Sequence, residues 1–144
     1  FNNLLTFKER LSKYLNKSDL EYLSKQENIL VNRLKDLNKN EKCIQIFTYE
    51  TAISYYLNKP TCTKFYHIMN MGPKKNQIIF INQLKATQPL YILTEGTYKK
   101  IGNMKGRNED ELSPKDRFPY IENFINENYK RFETYGDWEI LVKK

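Results

Sequence analysis

Residues 47–68 read FTYETAISYYLNKPTCTKFYHI. An apolar run, CIQIF (43–47), leads into this stretch and ends at Thr48. A short apolar run bounded by polar residues reads as a buried strand. Thr48 can then cap ETAISYYLN (50–58) as a helix, because a side-chain hydroxyl accepts from the free N–H groups of a first turn. Lys59-Pro60 stops that helix, since proline pushes the residue before it out of helical geometry. CTKFYHI (62–68) returns as a second strand. The stretch therefore predicts a β-α-β unit with a right-handed crossover, the building block of an α/β domain.

Working outward, NMGPKKN (70–76) is a turn and QIIFINQLKA (77–86) a helix with Ile78, Ile81 and Leu84 facing inward. Pro89 precedes a strand, LYILT (90–94), and residues 95–116 form a long polar loop. FPYIENFINENY (118–129) is a helix with Pro119 in its first turn. The end reads as a hairpin, Arg131–Tyr135 and Trp138–Val142 around Gly136-Asp137. On the N-terminal side, residues 4–17 are an amphipathic helix through Leu4, Phe7, Leu11, Tyr14 and Leu15. Ser18 and Glu21 have the spacing of a capping box for a second helix running to Asn38. Its stripe of Leu20, Leu23, Leu30, Leu34 and Leu37 has Glu27 in one slot, which favours a helix lying on a sheet over a coiled coil. The expectation is a three-layer α/β/α, Rossmann-like domain over 43–144, with a mostly parallel sheet and a C-terminal antiparallel hairpin. Residues 1–42 precede it as a helical pair or connector.

Composition narrows the function classes. Eleven Tyr, eight Phe and one Trp in 144 residues supply a large apolar area, so the chain is not of the disordered class. The net charge of +7 is spread along the chain. A spread charge reads as a solvated surface, whereas a nucleic-acid binder concentrates cations in a stripe. A basic face toward an anionic membrane stays open. No run approaches the ~20 apolar residues of a membrane helix. A chain opening on Phe1 is expected to be a piece of a longer protein. Cys43 and Cys62 fit no zinc spacing. They either pack as small hydrophobes or pair with each other in an oxidising compartment.

Open α/β sheets bind ligands beyond the carboxyl ends of their strands. Here those ends are Thr48-Tyr49-Glu50, His67 to Asn70, and Thr94-Glu95-Gly96. Thr48 at a helix start suits an anion, but TYET has neither the glycines of a dinucleotide turn nor those of a phosphate loop. His67 is the single histidine, so any histidine-based catalysis must use it. Glu50 and Glu95 could act as a carboxylate pair, but acids at strand ends are common and Glu50 in a first helical turn is explained by the helix dipole. Arg117 can hold a phosphate or close the sheet edge. Tyr49, Tyr55, Tyr56, Phe65 and Tyr66 offer a base-stacking platform or, more commonly, core packing. The candidate rim is therefore Thr48, Tyr49, Glu50, His67, Glu95 and Arg117, with no catalytic set, no metal site and no cofactor expected.

The segment TYETAISYYLNKPTCTKFYHI resembles one found in multi-pass membrane glycosyltransferases of the GT-C class, relatives of the dolichyl-phosphate-mannose protein mannosyltransferases. A strand leads to an acidic residue and a short helix ending in YYL. A Lys-Pro break and a Thr-Lys-Phe-Tyr run follow. FINQLKATQPLYILTEG (80–96) and RFPYIENFINENYKRFETYGDWEILVKK (117–144) extend the resemblance over about residues 43–144. It implies an extracytoplasmic C-terminal domain that follows a transmembrane bundle and is non-catalytic alone. The domain would help the enzyme bind an acceptor or partner while sugar is transferred from a polyprenyl phosphate. Its partners would be the transmembrane part of the same protein and the lipid-linked sugar or acceptor, with no nucleic acid. Two rivals are a stand-alone soluble enzyme using His67 with a carboxylate, and a basic nucleic-acid-binding domain.

Overall fold

The computed structural model describes residues 2–48, 52–95 and 114–144. Tyr49, Glu50 and most of the expected loop 95–116 lie outside the described residues, as does the expected Thr48 cap, which falls on residues 49–51. The helices are α1 (Asn2–Leu15), α2 (Lys25–Leu37), α3 (Ala52–Leu57), α4 (Lys74–Thr87), α5 (Pro114–Arg117) and α6 (Pro119–Asn128). The strands are β1 (Gln45–Phe47), β2 (Tyr91–Glu95), β3 (Tyr129–Tyr135) and β4 (Trp138–Lys143).

The strands form one sheet in the order β1-β2-β4-β3. β1 and β2 are parallel, with Ile46 opposite Leu93, and the other two pairings are antiparallel. The sheet is therefore mixed, with one parallel pair, and the expectation of a mostly parallel sheet is corrected. The reason lies in residues 62–68, expected to be a strand. Only the bridge between Ile44 and Thr61 forms there, through hydrogen bonds from Ile44 N–H to the Pro60 carbonyl (3.0 Å) and from Cys62 N–H to the Ile44 carbonyl (3.1 Å). Beyond it, Thr61 donates its hydroxyl to the Thr63 carbonyl (2.7 Å), and the Thr63 hydroxyl accepts from Phe65 N–H (3.2 Å). Threonine hydroxyls bonded two residues along offer the backbone an alternative to a strand ladder. His67 then caps a 3₁₀ turn, Ile68–Met71, by accepting the Met69 N–H at Nδ1 (3.2 Å). A disulfide joins Cys43 to Cys62 and fixes this segment beside β1.

Helices cover both faces of the sheet. On one face Leu30, Val31 and Leu34 of α2 and Ile53 and Leu57 of α3 pack with Ile44, Ile46, Leu93 and Ile140. On the other, Phe80 and Leu84 of α4 and Ile121 and Ile125 of α6 pack with Phe47, Ile92 and Leu141. Much of the aromatic excess goes into this second layer. Phe47 meets Phe80 (5.9 Å between ring centres) and stands edge-on to Phe118 (5.8 Å), while Phe65 meets Phe80 at 6.2 Å. Phe65 thus belongs to the core, whereas Tyr55 and Tyr66 are exposed.

Three local details depart from the sequence pattern. The capping box of α2 is Ser24–Glu27: the Ser24 hydroxyl accepts Glu27 N–H (3.2 Å) and the Glu27 carboxylate accepts Ser24 N–H (2.7 Å). Glu27 interrupts the leucine stripe because it caps the helix. Ser18 and Glu21 are hydrogen-bonded (3.1 Å), but they open only the 3₁₀ turn Asp19–Tyr22. In α4 the buried face is Gln77, Phe80 and Leu84, and Ile78 is exposed.

Candidate functional site: a polar cleft beside the parallel strand pair

Gln77 explains the rotation of α4. It is buried, and its side-chain amide donates to the carbonyls of Gly72 (2.8 Å) and Arg117 (3.1 Å) while its oxygen accepts Tyr120 N–H (3.2 Å). The first N–H groups of a helix lack partners within it. Phe118 gives α6 no side-chain cap, so Gln77 of the neighbouring helix serves one of those groups instead. This contact sets where α6 begins and how it lies on the sheet. Ile121 and Ile125 then face inward, and Glu122 and Asn126, each one position on, form the next row of the helix surface.

That row borders a cleft of about 250 Å³ between α6 and the sheet. Its apolar floor is Phe47, Ile125 and Leu141, and Thr94, Glu122, Asn126, Arg131 and Glu139 supply the polar walls. Phe47 and Thr94 are register partners at the carboxyl ends of β1 and β2. The Thr94 hydroxyl donates to the Glu139 carbonyl (3.3 Å), and Arg131 forms an ion pair with the Glu139 carboxylate at 2.9 Å. The Glu139 side chain is 14% exposed and that of Arg131 62%, so the carboxylate sits in the wall and the guanidinium lies over it. Tyr129 closes the far end. Its hydroxyl donates to the Pro89 carbonyl (3.0 Å), and burial pushes its pKa up to about 12, so it remains a neutral donor.

A β-bulge in β3 decides which charges reach the cleft. Arg131 lies opposite Leu141 and Glu133 opposite Ile140, with the register shifting between them. Residues two apart on a regular strand share a face, and the extra residue of a bulge breaks that rule. Arg131 therefore lines the cleft on the α6 side. Glu133 takes the α2 side, where Arg33 grips it through Nε (2.8 Å) and a terminal nitrogen (2.5 Å) and the Tyr135 hydroxyl donates to it (2.7 Å). These donors, Arg33 first, hold the Glu133 carboxyl at a pKa of about 2.

Of the rim expected from the sequence, Thr48 follows the last residue of β1, and Glu95 is the last residue of β2, opposite Trp138. Thr48 is buried. His67 and Arg117 stand elsewhere: His67 caps its 3₁₀ turn, and the Arg117 carbonyl receives the Gln77 amide. Tyr49 and Glu50 are outside the described residues. The sequence reading missed Glu122, Asn126, Arg131 and Glu139. The i, i+4 polar pair beside the apolar pair Ile121 and Ile125 was a signal for two of them, and the charged residues on both hairpin strands were a signal for the others. Among the described residues, no group of three or more metal-ligating side chains assembles.

The chemistry this arrangement supports is recognition. Two carboxylates and a carboxamide can accept and donate to hydroxyl groups, and the apolar floor can carry a ring face. The volume lies below the ~300–1,000 Å³ of most small-molecule pockets and suits a single ring-sized polar group.

The fold and cleft together define a mixed α/β domain with a polar cleft beside its sheet. No family model matches the chain, and no curated protein does. Among solved structures, the C-terminal globular domain of an oligosaccharyltransferase from Archaeoglobus fulgidus is similar at 11% identity, with 85% of this chain and 99% of that one covered and a TM-score of 0.48. A likeness that distant does not bear on function. No described helix is long and apolar enough to cross a membrane.

Proposed function

We propose that the chain is a non-catalytic accessory domain of a membrane glycosyltransferase, and that the cleft docks a hydroxyl-rich acceptor or partner group while sugar is transferred elsewhere from a polyprenyl phosphate. The observation that carries this reading is the cleft itself: Glu122, Asn126 and the Arg131–Glu139 pair converge over an apolar floor at the carboxyl end of the parallel strands. The residue pattern over 43–144, which resembles that of GT-C glycosyltransferases, supports the enzyme class. The Cys43–Cys62 disulfide supports an extracytoplasmic position, because such bonds persist in oxidising compartments. Thr48, Tyr49, Glu50, His67, Glu95 and Arg117 stay in this proposal as contact residues on the sequence pattern alone.

The test is a titration of isotopically labelled protein with monosaccharides and a short-chain prenyl-phosphate sugar, followed by amide chemical shifts. Shifts should concentrate at Thr94, Glu122, Asn126, Arg131 and Glu139. Glu122→Gln and Asn126→Ala should each weaken binding about tenfold or more, as loss of a hydrogen bond to a polar ligand does, with an unchanged Tm. Sugar transfer by this chain alone, or an unperturbed cleft throughout, refutes the proposal.

A further inference from the structure

α1 presents an apolar face that lies outside both core clusters. Phe7, Leu11, Tyr14 and Leu15 are 62%, 44%, 60% and 75% exposed. At roughly 100° per residue these four fall within one arc of about 100° on the helix surface. Cations border the arc on both sides: Arg10 and Lys17 along one edge and Lys8 along the other, with Lys13 behind Arg10. Glu9, Ser12 and Asn16 occupy the opposite face. Lys8, Arg10, Lys13 and Lys17 thus stand against the single acid Glu9. Arg10, Lys13, Tyr14 and Lys17 also line a groove of about 340 Å³. The Lys17 ammonium sits 5.7 Å from the ring centre of Tyr14 and 5.5 Å from that of Tyr22. The Tyr22 hydroxyl donates to the Tyr14 carbonyl (2.7 Å), tying the following turn back onto the end of α1.

We propose that α1 lies in the surface of an anionic lipid bilayer, its apolar arc at the acyl boundary and its flanking cations on lipid phosphates. An interfacial helix needs an apolar stripe too short to span, cations at the stripe's borders and a polar outer face, and α1 has all three. Lys and Arg beside the stripe can bury their stems and keep their charges at headgroup level. Charge argues against the other occupants. A second copy of α1 laid on this face would bring bordering cations against like cations, with no acid in place to pair with them. A nucleic acid would engage the cations and stack on Tyr14, but would leave Leu11 and Leu15 in water. The proposal rests on α1 alone and is independent of the cleft.

The test is co-sedimentation of the 144-residue chain with vesicles of phosphatidylcholine, with and without phosphatidylserine. Binding should be at least about tenfold tighter to the anionic vesicles and should weaken as salt is raised, because the phosphate contacts are screened. The double variant Arg10→Gln/Lys13→Gln should lose roughly thirty-fold in affinity, on the scale of two surface cations. Leu11→Gln/Leu15→Gln should lose at least about tenfold. Glutamine keeps helix propensity, so helix content and Tm should hold in both variants. Equal binding to neutral and anionic vesicles, or affinity unchanged in both variants, overturns the proposal. So does a concentration-dependent dimer that Leu11→Gln/Leu15→Gln dissolves, or tighter retention by a single-stranded oligonucleotide than by anionic vesicles.

Discussion

Gln77 shows how much one side chain can determine. Its amide serves two carbonyls and one helix-terminal N–H drawn from three separate segments. Gln77→Met keeps the shape and removes all three bonds, leaving partners that have lost their desolvation compensation. It should cost about 2 kcal/mol in urea unfolding. Gln77→Glu should cost more, because a carboxylate would face the Gly72 and Arg117 carbonyls. An unfolding midpoint for Gln77→Glu at or above that of Gln77→Met would refute this role. Periodicity could not reveal Gln77, since a hydrophobic pattern scores it as a surface residue. Its partners lie 5, 40 and 43 residues away, and only the fold brings them within reach. Gly136 was legible for the opposite reason. A two-residue hairpin turn with positive φ at its first position calls for glycine, and Gly136 has φ +59°. Gly136→Ala should destabilise by about 1 kcal/mol in thermal unfolding, through that φ and through the approach of the Gln26 side chain.

Among elements, the tie between α2 and β3 gives a pH signature. The Glu133 carboxyl is held at about 2, chiefly by Arg33, below its ordinary 4.5. A depressed carboxylate favours the folded state at every pH above the unfolded-state value. That contribution is lost as pH falls from about 4.5 toward 2, where the folded form also takes up a proton. The pair is partly exposed, so solvent weakens its contribution and salt reduces it further. The stability gap between the native protein and Glu133→Gln should therefore be constant near neutrality and close across that acid window. A gap that persists at pH 2 would refute the assignment. At the end of α4, Gln88 adopts a left-handed conformation (φ 48°, ψ 52°) that costs a non-glycine residue about 1 kcal/mol. Gln88→Gly should raise Tm slightly, because its contact with Lys143 is exposed. Most helices and the hairpin could be read from apolar periodicity, proline and glycine. The segment 62–68 could not, because an aromatic, β-branched composition reads as a strand while the hydroxyls of Thr61 and Thr63 bond locally.

For the whole molecule, the α/β layering followed from strands and helices alternating along the chain. The share of parallel pairing did not, because nothing local distinguishes a strand from an extended segment that stays outside the sheet. Thr48, His67 and Arg117 do not line the cleft, because its charges come from the hairpin and from a helix whose orientation depends on Gln77. The Cys43–Cys62 bond closes a loop over a sequence separation of 19. The double change Cys43→Ser/Cys62→Ser should lower unfolding free energy by about 3 kcal/mol on the chain-entropy account. A loss below about 1 kcal/mol would mean that local hydrogen bonds alone hold this segment.

The strand order carries a kinetic consequence. β4 is bordered on both sides, by β2 and by β3, and its hairpin partner is separated from it by two residues. β1 sits at a margin, and its pairing with β2 spans residues 45 to 92. Distant pairings form late, after the entropy of closing a long loop has been met. In native-state hydrogen exchange the amides of β4 should therefore be the last to take up deuterium, and those of β1 should open first.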